Sequence, residues 1–141
     1  MNTDHFILNL KKRGNLQVAL GIPATSDQIN ESERKMGVKF PEQVKWFFQA
    51  CNGLRVSEPA ISVKLLSELK VDQKCKIEFA AFDNQHVLSF DAERINEAGQ
   101  WTIINSKTEF AVTKTMASFW SNKIFAWLDN RRTIWKVEYF C

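Results

Sequence analysis

The stretch that decides the fold is Glu33–Gly53, ERKMGVKFPEQVKWFFQACNG, which contains the signals for one helix end and one helix start. Gly37 follows Met36 at a position where a helix typically ends in a left-handed residue, and glycine adopts that conformation without a Cβ clash. Pro41 follows Phe40 and fixes φ near the helical value, so it favours the start of a second helix. The stretch therefore predicts two helices joined by a short turn.

The second predicted helix has one apolar face. Its members are spaced at i, i+3, i+4 and i+7: Val44, Phe47, Phe48 and Cys51. Side chains of this kind contribute roughly 1.5–3 kcal/mol each when they are fully buried, so this face must lie against a core. Asn52-Gly53 then supplies residues that tolerate positive φ, which turns the chain where the helix stops.

The residues before this stretch predict the other N-terminal helices. Thr25 or Ser26 can cap the helix that ends at Met36, with Ile29 on its buried face. Thr3 and Asp4 predict the start of an earlier helix, whose inward residues are Phe6, Ile7 and Leu10. Residues 15–24, with Gly21 and Pro23, are interpreted as a connection.

Beyond Gly53 the apolar residues alternate, which is typical of strands. Ile61 to Leu65 is predicted as a strand, and Leu65 to Leu69 as a possible helical turn. Ile77 to Phe82 and His86 to Phe90 flank Asp83-Asn84-Gln85 and predict a hairpin.

The C-terminal third mixes both patterns. Residues 91–99 predict either a short helix or an extended loop, followed by a strand from Trp101 to Asn105. A helical period returns at Thr115, with an apolar face of Met116, Trp120, Ile124 and Trp127, widened by Phe119 and Leu128. Trp135, Val137 and Tyr139 alternate with polar residues and predict a terminal strand at a sheet edge.

These features together resemble the SUKH superfamily, which includes fungal glucan-synthesis regulators and bacterial immunity proteins that neutralise toxins. The residues that carry the resemblance are Glu33, Met36-Gly37, Phe40-Pro41, Val44, Phe47-Phe48 and Asn52-Gly53, with a looser match at Phe90-Asp91 and Thr115 to Leu128. The resemblance implies an α+β fold in which N-terminal helices pack on a mostly antiparallel β-sheet with a C-terminal helix. It implies a protein that binds a protein partner, and it implies no catalytic residues.

Composition limits the class of protein. A chain of 141 residues with 45% hydrophobic content can enclose one core, so residues 1–141 are predicted to form a single domain. The N-terminus has no secretory pattern and no apolar run is long enough to span a bilayer, which predicts a cytoplasmic protein without a membrane partner. Three cysteines far apart in sequence fit a reducing compartment rather than a disulfide framework.

The net charge is +3, and the whole excess lies in residues 107–141, which hold 6 basic and 3 acidic residues against 13 of each in residues 1–106. Nucleic-acid binding normally requires clustered Lys and Arg and a higher pI than the 8.8 of this chain. The balance therefore argues against a nucleic-acid partner.

Catalytic and metal sites have weak support in the sequence. Cys51 and His86 are the only plausible nucleophile and base away from the termini, but Cys51 belongs to the apolar helix face and nothing predicts a third group to orient the histidine. The cysteines and histidines lack metal-ligand spacing, so neither a metal nor a cofactor is predicted. Glu33 is interpreted as a structural tie to backbone near a loop such as Asn52-Gly53.

Two surfaces are candidate partner-binding sites. Trp46 lies opposite the buried face of its helix and, with Arg55 on the loop after Asn52-Gly53, could form a contact patch; the alternative is that Trp46 packs under the N-terminal helix or residues 15–24. Arg131 and Arg132 with Trp135 place basic charge beside the predicted terminal edge strand, which could pair with another protein or a second copy of the chain.

The favoured hypothesis is an immunity protein that binds and neutralises a cognate bacterial toxin. The alternative is an intracellular regulator or scaffold of cell-wall or glucan synthesis.

Overall fold

The structure is a computed structural model that describes residues 3–137. Within these residues, four helices and seven strands follow one another. They are α1 Thr3–Lys12, β1 Val18–Leu20, α2 Ser26–Met36, α3 Glu42–Ala50, β2 Leu54–Val56, β3 Ile61–Val63, β4 Lys76–Phe82, β5 His86–Ile95, β6 Trp101–Asn105, β7 Ala111–Thr113, and α4, which consists of Met116–Ser118, a π-helical turn Phe119–Lys123 and Ile124–Asn130. A 3₁₀ turn at Leu66–Glu68 follows β3. The predicted α+β class is confirmed.

The seven strands form one antiparallel sheet in the order in which they occur in the sequence. Each strand therefore pairs with its neighbours in the chain, so β1 and β7 are the two edges of the sheet that residues 3–137 form. Buried side chains of all four helices share one core with the buried strand residues. Representative members are Phe6, Ile29, Phe47, Val56, Val63, Phe79, Phe90, Ile103 and Phe119. The helices therefore cover one face of the sheet, which we call the inner face.

The helix pair α2 and α3 forms as its sequence signals predict. Thr25 caps α2 in a reciprocal arrangement with Gln28, and Gly37 ends it with φ of 71°. Pro41 has φ of −58° and is the cap residue before α3, so the helix itself begins one residue later than predicted, at Glu42.

The structure corrects several strand assignments. Residues 15–24 contain β1 rather than a simple connection, and β2 and β7 were not predicted. Each of these strands has three residues, which is too short for alternation to be visible in the sequence. Residues 91–99 form neither a helix nor an extended loop alone, because β5 continues through Ile95 before the chain turns at Gly99.

The predicted terminal strand does not form in the part of it that the structure describes. Residues 134–136 are turn and bend, and Trp135 is buried against the rings of Phe82, His86 and Trp127. A buried indole stabilises the fold more than an indole on an exposed strand edge does. The burial of Trp135 therefore explains why residues 134–136 do not form the predicted strand. Tyr139 lies outside the described residues.

The C-terminal helix α4 is buried on more than one side, as its apolar content predicts. Phe125 lies on a different side from Trp120 and contacts α1, where it packs edge-on against Phe6 and under the guanidinium of Arg13. Arg13 also donates two hydrogen bonds to Asp129, of 2.7 and 2.6 Å. This bidentate pair fastens the end of α1 to the end of α4.

We expect the Arg13–Asp129 pair to make stability pH-dependent in acid. Hydrogen bonding from Arg13 holds the pKa of Asp129 below its ordinary value. A lowered acid pKa adds stability above the pKa of the unfolded state, and this stability is lost as pH falls through the folded pKa. Because the carboxylate is 41% exposed, the contribution should not exceed about 1 kcal/mol.

The measurement is the free energy of unfolding of wild type and Asp129→Asn by urea denaturation between neutral pH and about pH 2. The variant should be less stable at neutral pH, and the difference should shrink as pH falls below about 4 and vanish only below the lowered pKa of Asp129. A difference that stays constant over this range would contradict an ionic origin.

Candidate partner-binding surface

Glu33 is a backbone tie, but its partner differs from the predicted one. Its Oε2 accepts a hydrogen bond of 2.7 Å from the backbone N–H of Phe40, and Lys45 Nζ lies 3.9 Å from the same oxygen. The carboxylate therefore holds the turn between α2 and α3 rather than the Asn52-Gly53 loop. The side chain is only 14% exposed, so this bond is largely shielded from water.

Replacing Glu33 by alanine should lower the free energy of unfolding by about 1–3 kcal/mol, because the Phe40 N–H would lose its charged acceptor. Thermal unfolding followed by circular dichroism measures the effect, and Glu33→Gln, which keeps an acceptor, should recover part of the loss. Glu31→Ala is the matched control: this carboxylate is on the same helix, is 60% exposed and bonds to Arg34. Equal losses for Glu31→Ala and Glu33→Ala would contradict the assigned role.

Asn52 and Gly53 also have structural roles. The Asn52 Oδ1 accepts a hydrogen bond of 2.8 Å from the N–H of Leu66, which fixes the turn after β3. Gly53 has φ of 97°, and its carbonyl accepts a hydrogen bond of 2.9 Å from the Gly21 N–H. These contacts join the end of α3 to β1 and β3.

Gly21 is a structural residue that the sequence did not reveal. A Cβ at this position would lie 1.8 Å from the carbonyl oxygen of Asn52, so only glycine allows the two backbones to approach. A single glycine in a connection carries no signal of such a contact. The residue whose backbone requires glycine at position 21 is Asn52, which lies 31 residues later in the sequence.

The aromatic motif residues build the core. Phe40 packs edge-on against Trp101, and Phe47 lies between Phe6, Phe48 and Trp120. The motif predicted from the sequence is therefore architectural, as the resemblance implied.

Cys51 and His86 do not approach each other as a catalytic pair would. Cys51 is fully buried after α3, and burial raises the pKa of its thiol to about 12, so the thiolate is scarce at neutral pH. His86 lies at the start of β5, where it pairs with Phe82 of β4. Its ring stacks on Trp135 with ring centroids 4.3 Å apart. In residues 3–137, no group of three or more His, Cys, Asp or Glu side chains is arranged to hold a metal.

Trp46 and Arg55 are both exposed, but they do not form one patch. Trp46 is 46% exposed on the side of α3 that points away from the core, so the alternative in which it is covered is wrong. Arg55 lies in β2 between buried Leu54 and Val56 and therefore points to the opposite face of the sheet from the helices. The two side chains mark opposite sides of the domain.

The three C-terminal candidates for partner binding do not share one surface, because two are exposed and one is buried. Arg131 ends α4 with φ of 55°, forms an ion pair with Glu58 and lies over the ring of Trp127. Arg132 is exposed beside it. Trp135 is 4% exposed and belongs to the core, so its side chain is not available for a partner in this structure.

The face of the sheet that points away from the helices, which we call the outer face, presents a continuous surface across several strands. The pairing register aligns one row of side chains across five strands on this face: Ala19, Arg55, Ser62, Ala81 and Val87. Arg55 and Ala19 are exposed, and the other three are half-buried. None of the four helices covers this row.

Towards β6 the outer face becomes closed by its own side chains. Ile104 is fully buried there, although it lies outside the main core. Lys76 on β4 donates a hydrogen bond of 2.6 Å to Glu109 in the turn between β6 and β7, so this pair links β4 to that turn. Ser89 and Ser106 are joined by a hydrogen bond of 2.6 Å on the same side. The open part of the face is therefore the part formed by β1 to β4.

Two open clefts adjoin the row. One has a volume of about 480 Å³ and lies beside β1 to β3, where Arg55, Lys64, Leu65 and Gly53 contribute to its wall. The other, of about 660 Å³, lies beside the β4–β5 turn and is lined by His86, Val87, Lys107 and Lys136 among others. The motif residue Gly53 thus lies at the rim of the outer face.

None of the helices in residues 3–137 has the length and apolar character needed to cross a membrane. No curated protein matches the sequence significantly. The family model of the SMI1/KNR4 family (SUKH-1) matches residues 23–116, which is more than half of the chain and includes the whole stretch from Glu33 to Gly53. Since this match agrees with the α+β architecture and with the Glu33 to Gly53 motif, the chain belongs to the SMI1/KNR4 family (SUKH-1).

Proposed function

We propose that this protein is a non-catalytic, cytoplasmic binding module that neutralises a cognate bacterial toxin by covering or adjoining its active site. The observation that carries the proposal is the outer face, where β1 to β4 are left uncovered by helices and are flanked by two clefts. An uncovered sheet surface with an adjoining cleft suits a folded protein partner. Membership of the SUKH family supports the same class of function.

The charge of the surface indicates the kind of toxin face that would fit. Arg55 and Lys64 lie at the cleft beside β1 to β3, and one acidic residue, Glu68, adjoins them. This cleft has a positive excess, whereas the other cleft balances Glu78 and Asp83 against Lys107 and Lys136. A positive cleft favours an acidic docking face by electrostatic complementarity. We therefore expect the toxin to present carboxylates, rather than the basic surface of a nucleic-acid-degrading enzyme, to this protein.

The test is affinity purification of the tagged protein from its native cell, followed by identification of the proteins recovered in stoichiometric amount. The candidate toxin is then expressed in a sensitive cell with and without this protein. Restored growth supports the proposal. Failure of the isolated pair to bind, or growth arrest despite a folded protein, would contradict it.

Two matched variants locate the binding surface. Arg55→Glu reverses charge on the outer face, whereas Trp46→Glu changes an exposed residue on the helix side of the domain. Loss of toxin binding in Arg55→Glu alone supports the outer face, and loss in Trp46→Glu alone assigns binding to α3. Cys51→Ser changes a fully buried residue away from this surface and should leave protection intact, provided that the variant folds.

A second candidate function is regulation of cell-wall or glucan synthesis. The specific observation in its favour is the matching family model, since it is the SMI1/KNR4 branch of the superfamily. Recovery of wall-synthesis proteins instead of a toxin in the purification above would select this function.

A further inference from the structure

The edge strand β1 presents an unused row of backbone hydrogen-bonding groups. Every second residue of this segment, the odd-numbered ones, bonds to the β2 side. The Gln17 carbonyl accepts a hydrogen bond from the Ser57 N–H, and the Gly21 N–H donates one to the Gly53 carbonyl. In an antiparallel ladder the residues that alternate with these point their N–H and C=O groups away from the paired strand, which here is towards the open side of β1. For β1 these residues are Val18, Leu20 and Ile22, and within residues 3–137 β1 pairs with β2 alone.

Within residues 3–137 this edge lacks charge and a covering element, two of the features that usually keep sheet edges apart, although Pro23 directly follows Ile22 and limits how far the edge extends. Natural edges carry charged side chains, proline within the strand, or a covering element. Residues 15–26, NLQVALGIPATS, contain no charged residue, although a quarter of the whole chain is charged. The opposite edge, β7, is flanked by Glu109 and Lys114.

Ile22 adds an exposed apolar side chain at the end of the edge. Its exposed fraction of 86% is higher than that of any other large hydrophobic residue that the structure places at the surface of residues 3–137. Val18 and Leu20 have the same parity as Ile22 and are half-buried against the core. The edge thus combines free backbone groups with an apolar side chain that has no cover in the described structure.

We propose that two copies of the chain pair through β1 in a symmetric antiparallel arrangement, which makes one continuous sheet of the two domains. The edge suits its own copy because it is uncharged, so no like charges meet when it is duplicated. With Leu20 on the two-fold axis, the free groups of Leu20 meet those of the second Leu20, and Val18 meets Ile22 of the other copy. The two Val18–Ile22 pairs are apolar cross-strand contacts that cover the exposed isoleucine.

This dimer is an inference beyond the proposed function. It would enlarge the outer face on which that function rests. Three strand spacings separate the two copies of β2, so they lie about 14 Å apart. Arg55 points to the outer face in both copies. The dimer therefore places two basic clefts side by side on one extended face, which a single domain does not have.

The test is self-association of the purified full chain, measured by sedimentation equilibrium from low micromolar to about millimolar concentration. We expect a monomer–dimer equilibrium, and Ile22→Lys should weaken it by about tenfold or more, because it introduces charge at the edge and removes the apolar pair. Ile95→Lys is the matched control, since Ile95 is also exposed, at 59%, but lies in β5 away from both edges. Circular dichroism confirms that both variants fold.

Amide hydrogen exchange identifies the edge that pairs. The Leu20 amide should become protected as the concentration rises, whereas the Gly21 amide, which bonds to Gly53 within each copy, should be protected at all concentrations. A chain that stays monomeric throughout, or equal association of Ile22→Lys and Ile95→Lys, would overturn the proposal. Protection of Leu20 only in the presence of a different protein would also overturn it and would assign the edge to that protein, independently of whether the toxin proposal holds.

Discussion

Replacing Phe47 by alanine should lower the free energy of unfolding by about 3–5 kcal/mol, because the change removes a fully buried ring and leaves a cavity. The Phe47 ring lies 5.8 Å from Phe6, 5.5 Å from Phe48 and 6.3 Å from Trp120, measured between ring centroids. It therefore joins α1, α3 and α4 at one point. Surrounding rings are held by several elements, so the site can collapse only in part. Urea denaturation monitored by circular dichroism measures the loss.

The preceding residue provides the control. Trp46→Ala removes a larger ring from the same helix, but this ring is nearly half exposed and points away from the core. The expected loss is less than about 1 kcal/mol. If the two variants lost similar stability, the division of α3 into a core side and a surface side would be wrong. Because Trp46→Ala keeps the fold, it also permits a binding measurement that Phe47→Ala does not.

This contrast shows why α3 could be predicted from the sequence while three of the strands could not. The helix has nine residues with apolar positions at regular helical spacing, so its buried face is encoded locally. β1, β2 and β7 have three residues each, and their pairing partners rather than their own pattern make them strands. Such strands form because a sheet already present offers them hydrogen bonds.

The candidate surface was less predictable than the fold for the same reason. Exposure of Trp46 follows from its angular position on a helix, which the sequence contains. The face to which Arg55 points depends on β2 being a strand, and the burial of Trp135 depends on Phe82 and Trp127 from other elements. Glu33 was correctly predicted to bind backbone, but its partner at Phe40 depends on the detailed path of the turn between α2 and α3.

The stability of β1 connects the fold to the proposed pairing, and Gly21 is the residue on which this stability depends most. The Gly21 N–H donates to the Gly53 carbonyl, and its Cα lies against the backbone of Asn52. Asn52 cannot move away easily, since its side chain is bonded to the N–H of Leu66. The first strand is therefore held against the sheet by a contact that leaves no room for a side chain.

Replacing Gly21 by alanine should accordingly destabilise the protein by about 2–4 kcal/mol, because the new Cβ would lie 1.8 Å from a carbonyl oxygen and the two backbones would have to separate. Urea denaturation measures the total loss. Hydrogen exchange locates it, since the amides of Gly21 and Ser57 bond across β1 and β2 and should lose protection first.

Gly14→Ala is the control for this prediction, because a Cβ at Gly14 would meet no atom within 4 Å. That variant should be neutral or slightly more stable, since alanine restricts the unfolded chain. If Gly21→Ala also left stability and amide protection unchanged, the close approach of β1 to Asn52 would not exist in solution. If instead it released β1 alone, self-association should fall with it, because the edge that pairs would no longer be held in the sheet.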